Sequence, residues 1–253
     1  MIMEKYLCII QVRMDSVRLP GKALFKVGRF TILEYLIKRV RLSKKIDKII
    51  VATSESRSDD KIVKLCETMK IECFRGSEEN VLERYYQCAI NNPEYAYIIR
   101  LTADNPLVDP AVIDEVIDFS KNHPEYDFVY NGLIKTFPIG LDVEIFKRSA
   151  LIESAVKSRL AFEKEHVDEY VLRRPKFKKG NLSAPYNWSH FRLTMDYQED
   201  FEVIKFLIKN CKITDGYLRY ISVLTKHPVI MFKNTRIKNN KGRFKEAIDK
   251  NKV

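Results

Sequence analysis

The chain has 253 residues, 45% of them hydrophobic and 31% charged, with 8 Gly, 9 Pro and 5 Cys. That length suits one large domain or two tightly joined ones, and the composition excludes a collagen-like, disordered or small disulfide-stapled protein. The 45 Lys and Arg against 34 Asp and Glu leave a formal net charge of +11, which favours polyanionic partners such as nucleotides, phosphosugars, nucleic acid or an anionic membrane surface.

The excess is local. Residues 1–58 hold 13 basic and 5 acidic side chains and residues 226–253 hold 9 and 2, around a slightly acidic middle. The cysteines Cys8, Cys66, Cys73, Cys88 and Cys211 are odd in number and lack a C-x-x-C pair, as expected of reduced residues in a cytoplasmic protein. The apolar run at residues 6–10 is too short for a secretory signal, and none approaches the roughly 18 residues of a membrane span. A soluble, cytoplasmic chain with no membrane partner is expected.

In chain order, residues 6–12 form an apolar run with the character of a buried strand, followed at once by a polar, basic loop. Apolar positions at Ile32, Leu33, Leu36, Ile37 and Val40 predict a helix over 31–40, and a second buried strand is expected at 48–53. Ser58-Asp59-Asp60 opens a helix to 70, and a short strand follows at 71–74. A helix over 78–90, a strand over 97–102 and a helix over 110–120 starting on Pro110 complete the regular part. This alternation predicts an α/β fold: a Rossmann-like, doubly wound, mostly parallel sheet with helices on both faces.

Beyond it the pattern loosens. After 127–130 a strand is expected at 142–146, helices at 149–158 and 163–173, a basic loop at 173–180, a last strand at 190–194, and helices at 200–210 and 215–225. One domain is expected over 1–232, with 130–190 as an irregular insertion and 233–253 as a solvated basic tail.

Three segments carry chemistry. The loop Gln11-Val12-Arg13-Met14-Asp15-Ser16-Val17-Arg18-Leu19-Pro20-Gly21-Lys22 places two guanidiniums and an ammonium together; forked Arg donors and a Lys point charge at the carboxyl edge of a parallel sheet match a polyphosphate. No glycine pair fits G-x-G-x-x-G or the P-loop, which excludes an ordinary dinucleotide-dependent dehydrogenase and a P-loop NTPase. Arg100-Leu101-Thr102-Ala103-Asp104 ends a strand with a carboxylate aimed at the same crevice, and Arg192-Leu193-Thr194-Met195-Asp196 repeats its R-L-T-x-D form. Two such hard oxygen ligands suit Mg²⁺ bridging to phosphate oxygens.

These segments, with Val51-Ala52-Thr53-Ser54, Arg75-Gly76-Ser77, Gly140-Leu141-Asp142-Val143-Glu144 and Glu165-His166-Val167, follow one another over about residues 5–210. Together they closely resemble the cytidylyltransferase family of spore-coat polysaccharide biosynthesis protein F, related to the synthetases that activate sialic acid and 3-deoxy-manno-octulosonate. The resemblance implies a homodimeric, Mg²⁺-dependent enzyme for surface glycan biosynthesis, transferring CMP from CTP to an acidic sugar and releasing pyrophosphate. It implies that Arg13, Ser16, Arg18 and Lys22 hold the triphosphate and that Asp104 and Asp196 hold the metal. Gln11, Ala52, Thr53, Ser54, Arg75, Gly76, Ser77, Thr102 and Ala103 would complete the nucleotide site. Asn131, Gly140, Asp142, Glu144, Glu165 and His166 would face the sugar. Asp15 stands where the family usually has glycine; its carboxylate would repel the triphosphate, point outward or join the metal site, and facing away is the hypothesis to test.

Two rivals are weaker. A nucleotide-sugar-dependent glycosyltransferase shares the fold and could use Asp142-Val143-Glu144 for metal, but a diphosphate-sugar needs fewer cations than the first loop supplies. No aromatic sheet motif, zinc-finger spacing or basic helix supports a nucleic-acid-binding module, so no nucleic acid partner is expected.

Overall fold

The computed structural model describes residues 4–237. After β1 (Tyr6–Gln11) comes a small hairpin, β2 (Lys26–Val27) and β3 (Phe30–Thr31). Six further strands join β1 in one sheet: β4 (Lys48–Ser54), β5 (Glu72–Gly76), β6 (Tyr97–Thr102), β7 (Phe128–Tyr130), β8 (Glu144–Lys147) and β9 (Lys179–Asn181). Their order is β5-β4-β1-β6-β8-β7-β9; β8 runs antiparallel to β6 and β7, and all other neighbours are parallel. The mostly parallel α/β architecture expected from the alternation is the one observed.

The helices are α1 (Ile32–Val40), α2 (Asp60–Thr68), α3 (Val81–Ile90), α4 (Pro110–Asn122), α5 (Arg148–Lys157), α6 (Ala161–Glu165), α7 (Glu169–Leu172), α8 (Gln198–Asn210), α9 (Tyr217–Thr225) and α10 (Pro228–Met231). They begin where local chemistry supplies a partner for free amides. Thr31 accepts from the Glu34 amide at 3.2 Å while Glu34 accepts from the Thr31 amide at 2.6 Å, a reciprocal cap on α1. Asn80 caps α3 and Asp109 caps α4 ahead of Pro110.

β1 shows why its sequence is a continuous apolar run. Tyr6, Cys8 and Ile10 pack with Leu33, Ile113 and Ile204 in one core, while Leu7 and Ile9 pack with Leu82 and Leu151 in the other. Burial on both faces stabilises the strand by about 1.5–3 kcal/mol for each large aliphatic side chain. From β1 the chain winds outward to β4 and β5, then returns to β6 on the opposite side. The loop leaving β1 and the end of β6 therefore flank the point where the winding reverses, the place where such sheets open a crevice.

Three expectations change. Residues 190–194 are not a strand: only one isolated bridge, Ile139 with Arg192, ties them to a neighbour. The seventh strand is β9, which begins in the stretch expected as a basic loop, and pairs with β7. The helix expected over 163–173 is broken, because His166 adopts extended backbone (φ −104°, ψ 98°) between α6 and α7. Residues 233–237 of the expected tail are in place, with Asn234 2% exposed; residues 238–253 lie outside those described. Among the described residues no helix is long and apolar enough to cross a membrane.

Candidate active site

The loop after β1 is a closed turn. The Met14 carbonyl accepts from the Ser16 and Gly21 amides, both at 2.9 Å, and Gly21 takes a φ of +71° that a side chain would disfavour. The Met14 amide donates to Asp59 at 2.7 Å. Asp59 is fully buried and also accepts from Thr53 Oγ1 (2.8 Å), the Ser54 amide (2.9 Å) and Ser54 Oγ (2.5 Å), so one carboxylate clamps the loop to the end of β4. Burial pushes the Asp59 carboxyl up, but the hydrogen bonds from Ser54, Met14 and Thr53 outweigh it and hold it below its usual range.

The turn delivers Lys22 across the sheet edge. Lys22 Nζ donates to the Met195 carbonyl at 2.6 Å and to Asp196 Oδ1 at 3.0 Å, and stands 3.8 Å from Asp104 Oδ2. Arg18 Nη2 reaches the same Asp196 oxygen at 2.9 Å, with its guanidinium 5.3 Å from the Tyr197 ring centre. Burial raises the Asp196 carboxyl, yet Lys22 and Arg18 prevail and lower it overall. The two R-L-T-x-D carboxylates thus converge on one cation although 92 residues separate them in sequence.

Asp104 is set by its own strand end: Thr102 Oγ1 donates to Asp104 Oδ1, and Asn105 Nδ2 donates to Thr102 Oγ1 at 3.1 Å. Asp196 is set by Asp200. The buried Asp200 carboxylate accepts from the Asp196 amide (3.0 Å), the Tyr197 amide (3.1 Å), Arg192 Nε (2.8 Å), Arg192 Nη2 (2.9 Å) and Asn234 Nδ2 (2.9 Å). The Met195 amide donates to the Asp104 carbonyl at 2.7 Å and joins the two segments.

Beside these carboxylates lies a cavity of about 400 Å³, within the range of small-molecule sites. Of the residues expected from the sequence, Arg18, Thr102, Asp104, Asn131, Asp142, Glu144, His166 and Asp196 line it. Glu144 forms a buried ion pair with Arg100, whose Nε donates to Gln11 Oε1 at 3.1 Å. Asp142 accepts from Tyr130 Oη at 2.6 Å, and Asn131 Nδ2 donates to the Leu141 carbonyl at 2.8 Å. Burial and Asp142 push the Tyr130 phenol well above its ordinary value, so it remains a donor.

Other expected residues are held elsewhere. The Thr53 and Ser54 hydroxyls are engaged by Asp59. Arg75 donates to the Ser54 carbonyl (3.1 Å), the Ser56 carbonyl (2.9 Å) and Asp60 (2.7 Å), and Ser77 Oγ accepts from the Asn80 amide at 3.0 Å. With Gly76, whose carbonyl accepts from Glu55, these residues form a second cluster at the ends of β4 and β5. The Ala52 carbonyl and Ala103 amide bond the backbone at Val12 and Gln11. Gly140 is a backbone contact: at φ +100°, an added Cβ would sit 2.5 Å from the Leu193 carbonyl carbon and Thr194 amide. Glu165 ends α6 and does not line the cavity. Arg13 and Asp15 are exposed, and Asp15 accepts from Ser58 Oγ at 2.8 Å instead of joining Asp104 and Asp196.

Sequence reasoning assigned no site role to Asp59, Asp200, Tyr130 or Lys135. Asp59 carried only a helix-start signal, and Asp200 only marked the start of the helix expected over 200–210. Lys135 lines the cavity and makes no ion pair among the described residues; nothing in its surroundings in sequence marks it.

The residues at the sheet edge fit a divalent cation. Two carboxylates already converge on one positive charge, and Mg²⁺ characteristically takes one or two carboxylates plus substrate phosphates. Among the described residues no group of three or more His, Cys, Asp or Glu forms a closed metal cage.

A cytidylyltransferase family model matches residues 7–240. The chain is 36% identical over 214 residues to spore coat polysaccharide biosynthesis protein SpsF of Bacillus subtilis, covering 81% of this chain and 87% of that one. A 3-deoxy-manno-octulosonate cytidylyltransferase of Chlamydia trachomatis is 29% identical over 140 residues, 53% of each chain. The solved structure of a cytidylyltransferase from Leptospira borgpetersenii superposes with a TM-score of 0.86 at 34% identity, covering 90% of this chain and 97% of that one. The strand-end carboxylates, the basic turn after β1 and the sheet that positions them are those of a chain belonging to the CTP-dependent cytidylyltransferase family.

Proposed function

We propose that this enzyme transfers the cytidylyl group of CTP to a hydroxyl of an acidic sugar and releases pyrophosphate. The observation that carries this reading is the meeting of Arg18 and Lys22 with Asp104 and Asp196 at the mouth of the cavity walled by Asn131, Asp142, Glu144 and His166. The likeness to a cytidylyltransferase of an octulosonate, itself an acidic sugar, supports the acceptor class.

The sugar hydroxyl attacks the α-phosphorus in line and loses its proton to solvent, its oxygen–phosphorus bond forming as the bond to pyrophosphate breaks. Arg18 and Lys22 neutralise charge on the departing pyrophosphate, so catalysis rests on positioning and electrostatics. Asp142, Asn131 and His166 orient the sugar through its hydroxyls. Asp104 and Asp196 would hold Mg²⁺, which when bound supplies further neutralisation of the phosphates. We read the working form as a cytoplasmic homodimer pairing through residues 130–190, where Ile134 is 64% and Tyr186 73% exposed.

Pyrophosphate release from CTP and Mg²⁺ on addition of acidic sugars tests the reading. Absence of release with acidic sugars, combined with liberation of UDP or CMP from a nucleotide-sugar donor, would overturn it.

A further inference from the structure

Arg18 and Lys22 are the cations assigned to the triphosphate, yet both are already engaged. Asp196 Oδ1 takes Arg18 at 2.9 Å and Lys22 at 3.0 Å, and Asp104 stands 3.8 Å from the same ammonium. Arg192 lies 3.4 Å from Asp196 but is balanced by its two-pronged pair with Asp200. Arg18 and Lys22 thus stand against Asp196 and Asp104, and neither of these two cations is free for an incoming polyanion until a carboxylate gives it up.

The two sides of this cluster differ in freedom. Asp196 is tied down, since its amide and that of Tyr197 donate to the buried Asp200. The Arg18 side chain is 48% exposed and lies on the Tyr197 ring. Arg18 can leave the carboxylate, whereas Lys22, 14% exposed and bonded to the Met195 carbonyl, stays in place and can only exchange its anionic partner; the carboxylate backbone cannot follow Arg18.

We propose that Asp196 is a positioning residue for Arg18 and Lys22, a resident anion that holds both cations at the mouth until triphosphate oxygens replace it. The inference rests on the CTP reading above and adds to it a competition between a side chain and the substrate. Asp196 pre-orders the two long side chains, which would otherwise lose rotamer freedom on binding. It also opposes nucleotide binding whenever no divalent cation is present to take over its charge.

The experiment is equilibrium CTP binding by calorimetry, without acceptor, in EDTA and in Mg²⁺. Asp196→Asn should tighten CTP binding in EDTA by about tenfold, whereas Asp104→Asn, which stands 3.8 Å from Lys22 and forms no ion pair with Arg18 among the described residues, should tighten it by about twofold or less. Asp196→Glu, which keeps the charge, should gain nothing. In the Arg18→Met background the gain from Asp196→Asn should shrink, because one of the released cations is gone. Should Asp196→Asn fail to fold by thermal melting, Asp196→Ser provides the same measurement. Metal-free affinity of folded Asp196→Asn equal to or weaker than wild type would overturn the proposal, leaving Asp196 as a metal ligand or structural group. Failure of the wild type to bind CTP even with Mg²⁺ would overturn the nucleotide reading itself.

Discussion

Arg100 to Asp104 and Arg192 to Asp196 share one local sequence and present one carboxylate each to Lys22, but they are held by different means. The first ends β6, a central strand paired with β1 over Tyr97 to Thr102 and with β8 over Tyr97 to Arg100. The second lies outside the strands of the sheet: an isolated bridge to Ile139 and the Met195 amide on the Asp104 carbonyl tie its backbone, and the Asp200, Arg192 and Asn234 side chains hold the rest. Backbone pairing is spread over many hydrogen bonds, whereas a buried polar network depends on each member being satisfied. The same carboxylate geometry is therefore robust on one side of the mouth and vulnerable on the other.

That contrast can be broken most severely at Asp200. Asp200→Ala removes the two-pronged partner of the buried Arg192 and frees two backbone amides, so a stability loss of about 3–5 kcal/mol is expected in denaturant unfolding. Lys22→Ala removes the cation on which both segments converge. Steady-state assays of cytidylyl transfer should show turnover reduced about 10²–10³-fold with folding retained, the scale of losing one preorganised charge donor; near-normal turnover would exclude a phosphate role.

Asn234→Ala trims the network at its edge and should cost about 1 kcal/mol in the same unfolding measurement, with a smaller fall in turnover than Lys22→Ala. The comparison is sharpened by acid. Because the Asp196 carboxyl is lowered by its neighbours, its contribution to stability is complete above the unfolded value and is lost as pH falls through the lower folded value. Asp196→Asn should flatten the stability profile below about pH 4. The smallest effect is expected at Asp15, which bonds Ser58 away from the carboxylates: Asp15→Gly should leave the CTP Kd nearly unchanged, and a large gain in affinity would show that it does oppose the phosphates.

The first half of the fold was legible because each element there buries a periodic face. β1, α1, β4 and β6 carry apolar patterns that decide strand or helix without outside help. Residues 190–194 misled for the same reason: Phe191, Leu193 and Met195 alternate like a strand and are buried, yet their backbone partners are Ile139, Trp188 and Asp104, none of which lies in a strand. Burial produced the pattern, and pairing did not follow from it. His166 shows the converse, since nothing in the run 163–173 marks the extended residue that splits it.

The sequence by itself determined which residue types gather at the sheet edge: cations on the turn after β1 and carboxylates ending two R-L-T-x-D segments, because charge and local pattern are read directly from the chain. Only the tertiary structure decided that Lys22 and Arg18 rest on Asp196, that Thr53 and Ser54 serve Asp59, and that Asp200 and Asn234 hold Asp196 in place. These are contacts between segments distant in the chain, made where buried polar groups must find partners, and local pattern carries no record of which partner that is.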